Sequence, residues 1–287
     1  MEITIIIPVR NRAERLVETL RTIPATYPLI VVDNGSTDST AAVAEAFCSQ
    51  RSGATFVAEP TPGAAAARNR GLELCQTEWV YFFDSDDIFT ALPHVPDETA
   101  AQLDMVCFPV TMSIGGSEQV RAYRPVADAA THVLSAMLGT QSMLFRTEWL
   151  RAIGGWDNRC HIWNDWELGL RALLHKPRLT WMTGEAFHHI LVHDNSITGP
   201  SYSARWQRIV ETLTVAKEEV EAAADKRTRR AFDLRCRIVC GKLRREGNTA
   251  AADAVRAISG ASTLGALLEW YSAKGGRGAW RIALACL

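Results

Sequence analysis

The chain has 287 residues, 47% of them hydrophobic, which is enough for one large α/β domain with a small appendage or for two domains. Its 31 Lys and Arg residues balance 32 Asp and Glu residues, so the net charge of -1 gives no support to broad attraction for nucleic acid, and we expect any anionic ligand to be held locally. Seven scattered cysteines and a start without an apolar leader predict free thiols and a cytoplasmic location.

The first 83 residues alternate between short apolar runs and helical patterns. Runs rich in β-branched and aromatic residues predict four strands, at Ile3–Ile7, Leu29–Val32, Ala54–Val57 and Glu78–Phe83, and we expect the first and the last of them to be buried. We expect Pro8 to end the first of them, because proline cannot continue a ladder of hydrogen bonds. Helical spacing of apolar residues between the strands predicts a doubly wound, mostly parallel α/β sheet.

The fourth strand ends abruptly in the acids Asp84, Asp86 and Asp87. Strands buried on both faces belong to parallel sheets, whose ligands bind at the carboxyl edge. Mg²⁺ and Mn²⁺ prefer oxygen ligands, and a magnesium site typically combines one or two carboxylates with phosphates and water. Asp84 and Asp86 are therefore candidate metal ligands. The alternative is that Ser85, Asp86 or Asp87 only caps the turn or helix that follows.

After these acids, strands and helices no longer alternate regularly in the sequence pattern. Extended segments are predicted at Leu103–Val110, Gln141–Phe145, Leu179–Met182 and Ala186–Val192, with a turn at Gly115–Gly116. Helices are predicted over Thr147–Ile153 and Asn164–Leu174. From about Ser203 the sequence is rich in Ala, Glu, Lys and Arg and turns helical. These patterns divide the chain into a domain at residues 1–204 and a helical C-terminal extension at residues 205–287.

Seven short motifs follow one another in order within residues 3–200. They are Ile-Ile-Pro-Val-Arg-Asn at 6–11, Val-Val-Asp-Asn-Gly-Ser-Thr-Asp at 31–38, Gly-Ala-Ala-Ala-Ala-Arg-Asn-Arg-Gly at 63–71, Phe-Asp-Ser-Asp-Asp at 83–87, Gly-Gly-Trp-Asp at 154–157, Asn-Asp-Trp-Glu-Leu at 164–168 and His-Asp-Asn-Ser-Ile-Thr at 193–198. Together they closely resemble the family 2 glycosyltransferases. The resemblance implies a GT-A fold, a nucleotide-diphosphate sugar donor and inversion at the anomeric carbon.

The resemblance also implies a donor site. It assigns the nucleotide end of the donor to Pro8, Arg10, Asn11, Asp33, Asn34, Arg68, Asp84 and Ser85, and a divalent cation, Mn²⁺ or Mg²⁺, to Asp86, Asp84 and His193. A metal there would stabilise charge on the departing phosphate. Asp33 and Asp38 as helix caps, and Arg68 as a solvated charge, remain alternatives. Asn34 replaces an aspartate and Arg10 an aromatic residue that many relatives carry, so the nucleotide is left open.

Direct displacement needs one general base for the acceptor hydroxyl. Asp165 corresponds to the second acid of the family's Glu-Asp pair, with Asn164 in place of the glutamate and Glu167 as the substitute base. The alternative is that Asp165 is only an acid at the positive end of a helix, worth about 0.3–1 kcal/mol there.

The C-terminal extension suggests where the enzyme acts. Basic residues between Arg227 and Arg245, and the mixture of Trp, Arg and aliphatic residues near the end, make contact with a membrane that carries a lipid-linked acceptor a candidate, next to a solvated helix face. We expect a carbohydrate or lipid-linked acceptor, and a cytoplasmic protein that is peripheral to the inner face of the membrane if that contact is made. Only Arg205-Trp206 remains of the processive enzymes' Gln-x-x-Arg-Trp, and no apolar run approaches the roughly 18 residues needed to span a bilayer, so we expect non-processive transfer.

Two other functions compete with this one. A sugar-phosphate nucleotidyltransferase would grip a triphosphate with a glycine-rich loop after the first strand, and residues 8–12 contain no glycine. A catalytically inactive GT-A-like binding module would have no need to retain Asp84, Asp86 and Asp165 together.

Overall fold

The structure is a computed structural model that describes residues 1–114, 117–121, 128–182, 187–192 and 201–287. The chain divides into two compact units. Unit 1 comprises Met1–Pro125, Leu138–Asn158 and Pro177–Asp194, and unit 2 comprises Val126–Met137, Arg159–Lys176 and Asn195–Leu287. The boundary predicted between residues 204 and 205 stays a prediction about where independently folding domains begin.

Unit 1 contains all the strands that the structure describes. They are β1 (Ile3–Val9), β2 (Leu29–Asp33), β3 (Ala54–Ala58), β4 (Trp79–Phe82), β5 (Met105–Cys107), β6 (Val110–Ile114), β7 (Ser117–Arg121), β8 (Met143–Arg146), β9 (Leu179–Trp181) and β10 (Phe187–Val192). Seven of them form one sheet in the order β3-β2-β1-β4-β8-β5-β9, and the other three form a sheet in the order β10-β6-β7. The first four strands of the large sheet are parallel, and β8 is antiparallel to both of its neighbours.

The helices are divided between the two units. Unit 1 has α1 (Ala13–Thr22), α2 (Thr40–Ser49), α3 (Ala64–Leu74), α4 (Asp97–Ala100) and α6 (Thr147–Ala152), and unit 2 has α5 (Ala129–Ser135), α7 (Asn164–Leu174), α8 (Trp206–Ala223), α9 (Lys226–Arg245), α10 (Thr249–Ile258), α11 (Thr263–Ala273) and α12 (Ala279–Ala285). The predicted doubly wound α/β sheet and the helical C-terminal region are both confirmed.

The order of the parallel strands creates a crevice for a ligand. The chain runs outward from β1 to β2 and β3, and then returns past β1 to place β4 on the other side. Right-handed crossovers put α1 and α2 on one face of the sheet and α3 on the opposite face. The strand order therefore reverses between β1 and β4, and in open parallel sheets ligands bind outside the carboxyl ends of the strands at such a point. Both strands are buried along their length, so the polar residues that follow them mark the edge.

Pro8 does not end the first strand as predicted, because β1 continues to Val9. Within β1, Ile5 donates to the carbonyl of Pro28 and Val9 accepts from Asn34, both on the β2 side. The backbone groups of the next residue in the strand point to the opposite side, toward β4. The Ile6 carbonyl, for example, accepts from the Phe83 N–H. The missing N–H of Pro8 consequently faces the β4 side beyond Phe82, where that strand has ended and no ladder bond is lost.

Two later predictions also differ from the structure. The segment expected as one strand over Leu103–Val110 is two strands, β5 and β6, in different sheets. Pro109 lies between them and cannot donate to a ladder, which suits the change of sheet. The strand expected from Gln141 begins at Met143 instead, after a single 3-10 turn at Thr140–Ser142 that the Gly139 and Ser142 hydrogen bonds close. The predicted turn at Gly115–Gly116 lies outside the described residues.

Unit 2 is organised around α9, which packs against α5, α10 and α11. Four of its helices begin at side-chain caps. Asp128 accepts from the Thr131 N–H at 2.9 Å, Asp225 from the Thr228 N–H at 2.7 Å, Asn248 from the Ala251 N–H at 3.0 Å and Ser262 from the Gly265 N–H at 2.9 Å. Within the described parts of the chain, no helix combines the length and hydropathy needed to cross a bilayer.

Candidate active site

The predicted donor residues of the N-terminal motifs gather in unit 1 at the carboxyl edge of β1, β2 and β4. Pro8 is the last residue but one of β1, Asp33 is the last residue of β2, and Asp84 lies two residues beyond the end of β4. Ser85 is buried, and its carbonyl oxygen accepts from the Thr19 hydroxyl at 3.1 Å, which ties the turn after β4 to α1. The fold thus brings together residues that are up to 77 positions apart in the chain.

Asp84 is held by two side chains. Nη2 of Arg68 donates to Oδ1 of Asp84 at 2.9 Å, and Nε2 of Gln141 donates to Oδ2 at 2.6 Å. The same nitrogen of Gln141 donates to Oδ2 of Asp87 at 2.7 Å. Two carboxylates accept from this amide, so its nitrogen and not its oxygen faces them. Gln141 is buried, and its backbone carbonyl oxygen accepts from the Tyr81 hydroxyl at 2.8 Å.

Gln141 is a site residue that the sequence motifs did not reveal, since they mark it only as the start of a strand. Its position in the chain could have indicated its role. The segment from Gln141 leads into β8, which pairs with β4, the strand that precedes the acids. A polar residue at the start of a buried strand beside that acid cluster is a candidate partner for a carboxylate.

Arg68 is buried in α3 despite its charge. The helix approaches β1 closely because Gly71 lacks a side chain, and a Cβ there would lie 2.4 Å from Ile6. The Arg68 guanidinium stacks on the Trp156 ring, with its central carbon 4.4 Å from the ring centroid. Asn69 accepts from the Trp156 N–H at 2.9 Å and donates to the Trp156 carbonyl at 2.7 Å. The motif at 63–71 and the motif at 154–157 therefore pack together and hold Arg68 in place. The alternative that Arg68 is a solvated charge is wrong, because the side chain is buried.

Asp33 has one oxygen that the chain satisfies and one that it does not. Oδ2 accepts from the Ser36 N–H at 3.1 Å, as expected of an acid in a turn. Oδ1 is buried and has no hydrogen-bond partner among the residues that the structure describes. A buried acceptor without a donor costs free energy, which a donor group on a ligand would recover.

Asn34 uses its side chain within the protein. Its Nδ2 donates to the carbonyl oxygens of Glu59 at 3.0 Å and Thr61 at 2.7 Å, and its Oδ1 accepts from the Gly63 N–H at 2.7 Å. This amide fastens the loop after β3 to the end of β2, at the start of the helix that carries Arg68. An aspartate could not donate to these two carbonyl groups, which accounts for an asparagine at this position.

The loop after β1 places basic side chains at the same edge. Arg10 is exposed, and Asn11 adopts a left-handed conformation with φ of 50° while its Oδ1 accepts from the Thr37 N–H at 2.8 Å. The Arg12 guanidinium lies 3.5 Å from Oδ2 of Asp86. The loop after β1 is thus held to the segment after β2 through Asn11 and to the acids after β4 through Arg12. Arg10 remains exposed to solvent.

The acids after β4 fit a divalent cation in part. The side chains of Asp84 and Asp86 are 35% and 17% exposed, so both reach the surface at the ligand edge. In the described part of the chain, no group of three His, Cys, Asp or Glu side chains is arranged to hold a metal. One or two carboxylates are sufficient for a hard cation that also binds substrate phosphates. His193, the third predicted ligand, lies outside the described residues.

The candidate base belongs to unit 2. Asp165 is half-buried in the first turn of α7, and its Oδ1 accepts from the Trp166 N–H at 2.8 Å. The buried Arg235 guanidinium interacts electrostatically with Asp165 and stacks on the rings of Trp163 and Trp166, and burial lowers the pKa of Arg235 to about 10. Arg235 was expected only as part of a basic stretch.

Glu167, the substitute base, is engaged differently. Its two carboxylate oxygens accept from Nε of Arg171 at 2.7 Å and from Nη2 of Arg171 at 3.0 Å. Both side chains are buried. A bidentate, desolvated pair of this kind stabilises the ionised carboxylate and is broken only at a large cost, which makes Glu167 a poor proton acceptor.

Comparison with known protein sequences agrees with this arrangement. The family described as Glycosyl transferase family 2 matches residues 4–147, half of the chain. An uncharacterized glycosyltransferase of Mycobacterium tuberculosis is 39% identical over 106 residues, which cover 36% of this chain and 46% of that protein. The pre-mycofactocin glycosyltransferase of the same species is 28% identical over 200 residues, which cover 63% of this chain and 41% of that protein. The matches thus span less than half the length of these relatives.

Solved structures share the fold. TarS 1-349 of S. aureus, which has also been solved in complex with UDP-GlcNAc, superposes with a TM-score of 0.63 at 17% identity, over 99% of this chain and 90% of that chain. The mannosyltransferase PcManGT of Pyrobaculum calidifontis, solved with GDP-Man and Mn2+, gives a TM-score of 0.56 at 19% identity, over 99% and 86% of the two chains. These likenesses confirm the predicted GT-A fold. With the family match over half of its length, the chain belongs to glycosyltransferase family 2.

Proposed function

We propose that this protein transfers a sugar from a nucleotide-diphosphate sugar to an acceptor hydroxyl, with inversion and with one transfer per acceptor-binding event. The proposal rests on one observation: Asp33, Arg68, Asp84 and Asp86 converge at the strand-order reversal of a family 2 sheet. The nucleotide sugars in the solved relatives support it. The product would be a glycan, polysaccharide or glycolipid.

The nucleoside end of the donor is assigned to Asp33. Its buried Oδ1 lacks a donor among the described residues, and both an N–H of a nucleobase and a ribose hydroxyl can supply one. Arg10, exposed in the loop after β1, can stack on the base with its planar guanidinium. Pro8, Asn11 and Asn34 would act through the backbone shape they impose.

The diphosphate is assigned to Arg68 and the acids after β4. Arg68 is buried, stacked on Trp156 and paired with Asp84, so its charge is fixed in place before a donor arrives. A pre-positioned cation stabilises negative charge on the departing phosphate without reorganising. Asp84 and Asp86, with His193, would hold Mn²⁺ or Mg²⁺, which when bound supplies Lewis-acid stabilisation of the same leaving group.

Asp165 is the proposed general base. The acceptor oxygen forms a bond to the anomeric carbon while the bond from that carbon to the phosphate oxygen breaks, and the hydroxyl proton passes to the Asp165 carboxylate. The positive Arg235 guanidinium nearby favours an ionised carboxylate at this position. Glu167 is a weaker candidate because Arg171 occupies both of its oxygens.

The Asp165→Asn variant tests this assignment, because it keeps the shape of the side chain but cannot accept a proton. We expect transfer to fall by roughly 10²–10⁴-fold, with kcat and kcat/KM for the acceptor falling together and donor affinity nearly unchanged. Glu218→Gln, an exposed acid on α8, is the matched control. Near-normal kcat in Asp165→Asn would remove Asp165 from the chemistry and leave it as an acid at the positive end of a helix.

Peripheral membrane contact is a second proposal, supported by exposed apolar side chains on the last two helices. Leu267 and Trp270 on α11 and Ile282 on α12 are 60%, 62% and 41% exposed. Leu267 and Trp270 are three residues apart and share a face of α11, and Lys274 follows four residues later. An aromatic and aliphatic face beside cations suits the interface of an anionic membrane, where a lipid-linked acceptor would be met.

A further inference from the structure

A cavity of about 480 Å³ lies in unit 2, between the end of α9 and the glycine-rich loop that joins α11 to α12. Three cationic side chains line it: Lys242 and Arg245 from α9, and Arg277 from the loop. Gly275 makes room for one of them, because a Cβ there would lie 3.1 Å from the guanidinium carbon of Arg245. The loop is held in shape by the Tyr271 hydroxyl, which donates to the Arg277 carbonyl at 2.9 Å.

Lys242 donates to the Tyr202 hydroxyl at 3.1 Å, and none of the three cations has an acidic partner among the residues that the structure describes. Across the described ranges, Lys242, Arg245 and Arg277 form no salt bridge. The cavity contains one acid, Glu246, but its carboxylate is committed to the segment before α8, where it accepts from the N–H groups of Tyr202 at 3.0 Å and Ser203 at 2.6 Å. The described lining therefore carries three positive charges and one negative charge, which leaves a net positive charge toward a ligand.

A buried hydroxyl lines the same cavity and also lacks a partner. Ser272 is 4% exposed, and its Oγ has no hydrogen-bond partner among the residues that the structure describes. Buried hydroxyl groups normally form hydrogen bonds, since leaving one unpaired costs free energy. A ligand atom in the cavity would satisfy it, and the surrounding charges specify that the ligand is an anion.

We propose that this cavity binds a phosphate group. Phosphate oxygens only accept hydrogen bonds when ionised, which matches a wall of ammonium, guanidinium and hydroxyl donors. Arg245 and Arg277 can each present two N–H groups to one phosphate, and Lys242 adds a compact charge. The cavity is larger than one phosphate, so it has room for a larger molecule that carries the group.

The position of the cavity within unit 2 indicates that this molecule is the acceptor, a step that rests on the proposed function. Tyr202 and Trp280 form part of the wall. The Tyr202 ring contacts the Trp163 ring at 6.1 Å between centroids, and the Arg235 guanidinium carbon lies 5.0 Å from the Trp163 centroid and 5.3 Å from the Trp280 centroid. Trp163 immediately precedes α7, which carries the candidate base Asp165 in its first turn. A phosphate-bearing acceptor held in the cavity would thus rest on an aromatic cluster that reaches the start of the helix carrying the base.

Titration with inorganic phosphate tests the site without an acceptor. We expect one phosphate per chain by calorimetry, with affinity reduced about 10-fold or more in Arg277→Gln and in Lys242→Met, since each removes a charge-assisted contact. Ser272→Ala should also weaken binding while leaving the melting temperature unchanged or higher, because it deletes an unpaired buried hydroxyl. Arg230→Gln, an exposed position on α9 outside the cavity, should bind phosphate as the parent does. Asp86→Ala should do so as well, which separates this site from the donor site.

Equal phosphate affinity in the parent, Arg277→Gln and Ser272→Ala would overturn the proposal. If the cavity variants lose phosphate while the parent transfers no sugar, the site stands and the proposed function fails. Vesicles of phosphatidylglycerol separate the two sources of the phosphate: binding to them should be the same for Arg277→Gln and Arg230→Gln. A selective loss in Arg277→Gln would assign the site to a lipid headgroup and overturn the assignment to the acceptor.

Discussion

Replacing Gln141 tests whether the acids after β4 are held ready for a donor. In Gln141→Leu the side chain keeps a similar volume but loses the amide that donates to both Asp84 and Asp87. Asp84 retains its pair with Arg68 and is 35% exposed, so water can replace the lost donor. Asp87 is 3% exposed, so its carboxylate loses a donor that water replaces poorly.

The magnitude follows from that difference in exposure. A hydrogen bond to a buried charged group contributes about 1.5–3 kcal/mol, and only the bond to Asp87 is counted in full. For a chain of this size each kcal/mol lowers the melting temperature by roughly 2–4 °C, so we expect Gln141→Leu to melt several degrees below the parent. Donor affinity should fall too, because Asp84 is then held from one side only.

Thermal unfolding and donor titration, measured on the same preparations, separate these effects. Gln76→Leu, an exposed glutamine in unit 1, controls for the loss of an amide at the surface and should change neither. An unchanged melting temperature together with unchanged donor affinity in Gln141→Leu would refute the view that one buried amide organises the acid cluster.

Two further predictions concern unit 2. Burial lowers the pKa of His132 to about 4, whereas the unfolded value is about 6.5, so the unfolded chain binds the extra proton between these values. The free energy of unfolding should therefore be highest above pH 6.5 and fall as the pH drops, by up to about 3 kcal/mol near pH 4. His132→Gln keeps a donor for the Trp166 carbonyl but has no imidazole to protonate. Denaturant titrations of this variant should not show the loss. For the membrane, Trp270→Ser and Leu267→Ser should each reduce co-sedimentation with anionic vesicles. Parent-like sedimentation of both variants would exclude this face as the contact.

The doubly wound half of the sheet was predictable because its sequence signals are local. Each of the first four strands is a largely apolar run, and polar residues end it or follow it within two positions, so the carboxyl edge could be located from Asp33 and Asp84 alone. The resemblance then added roles that no pattern of hydropathy contains. The prediction for Pro8 was wrong because a proline interrupts a ladder only where a neighbouring strand would have accepted from its N–H. The side of Pro8 that lacks the N–H faces β4, and β4 has already ended there.

The partners of the site residues were not predictable in the same way. Gln141 and Trp156 lie far along the chain from the residues they support, Asp84 and Arg68, and neither carries a charge that would suggest a role. The cationic cavity of unit 2 was hidden for a different reason. A basic helix normally places its charges in solvent, and only the fold shows that Lys242 and Arg245 face the loop with Arg277 across a common space.

Binding of a nucleotide-diphosphate sugar at the edge between β1 and β4 is tested most directly by thermal shift. The parent and Asp86→Ala are each measured with a panel of nucleotide diphosphates and their sugars. We expect one nucleotide series to raise the melting temperature of the parent in the presence of Mn²⁺. Asp86→Ala should have an unchanged melting temperature in the absence of ligand and should lose that metal-dependent increase. Equal stabilisation of both proteins with Mn²⁺, or no stabilisation of the parent by any member of the panel, would contradict binding of the donor at this edge.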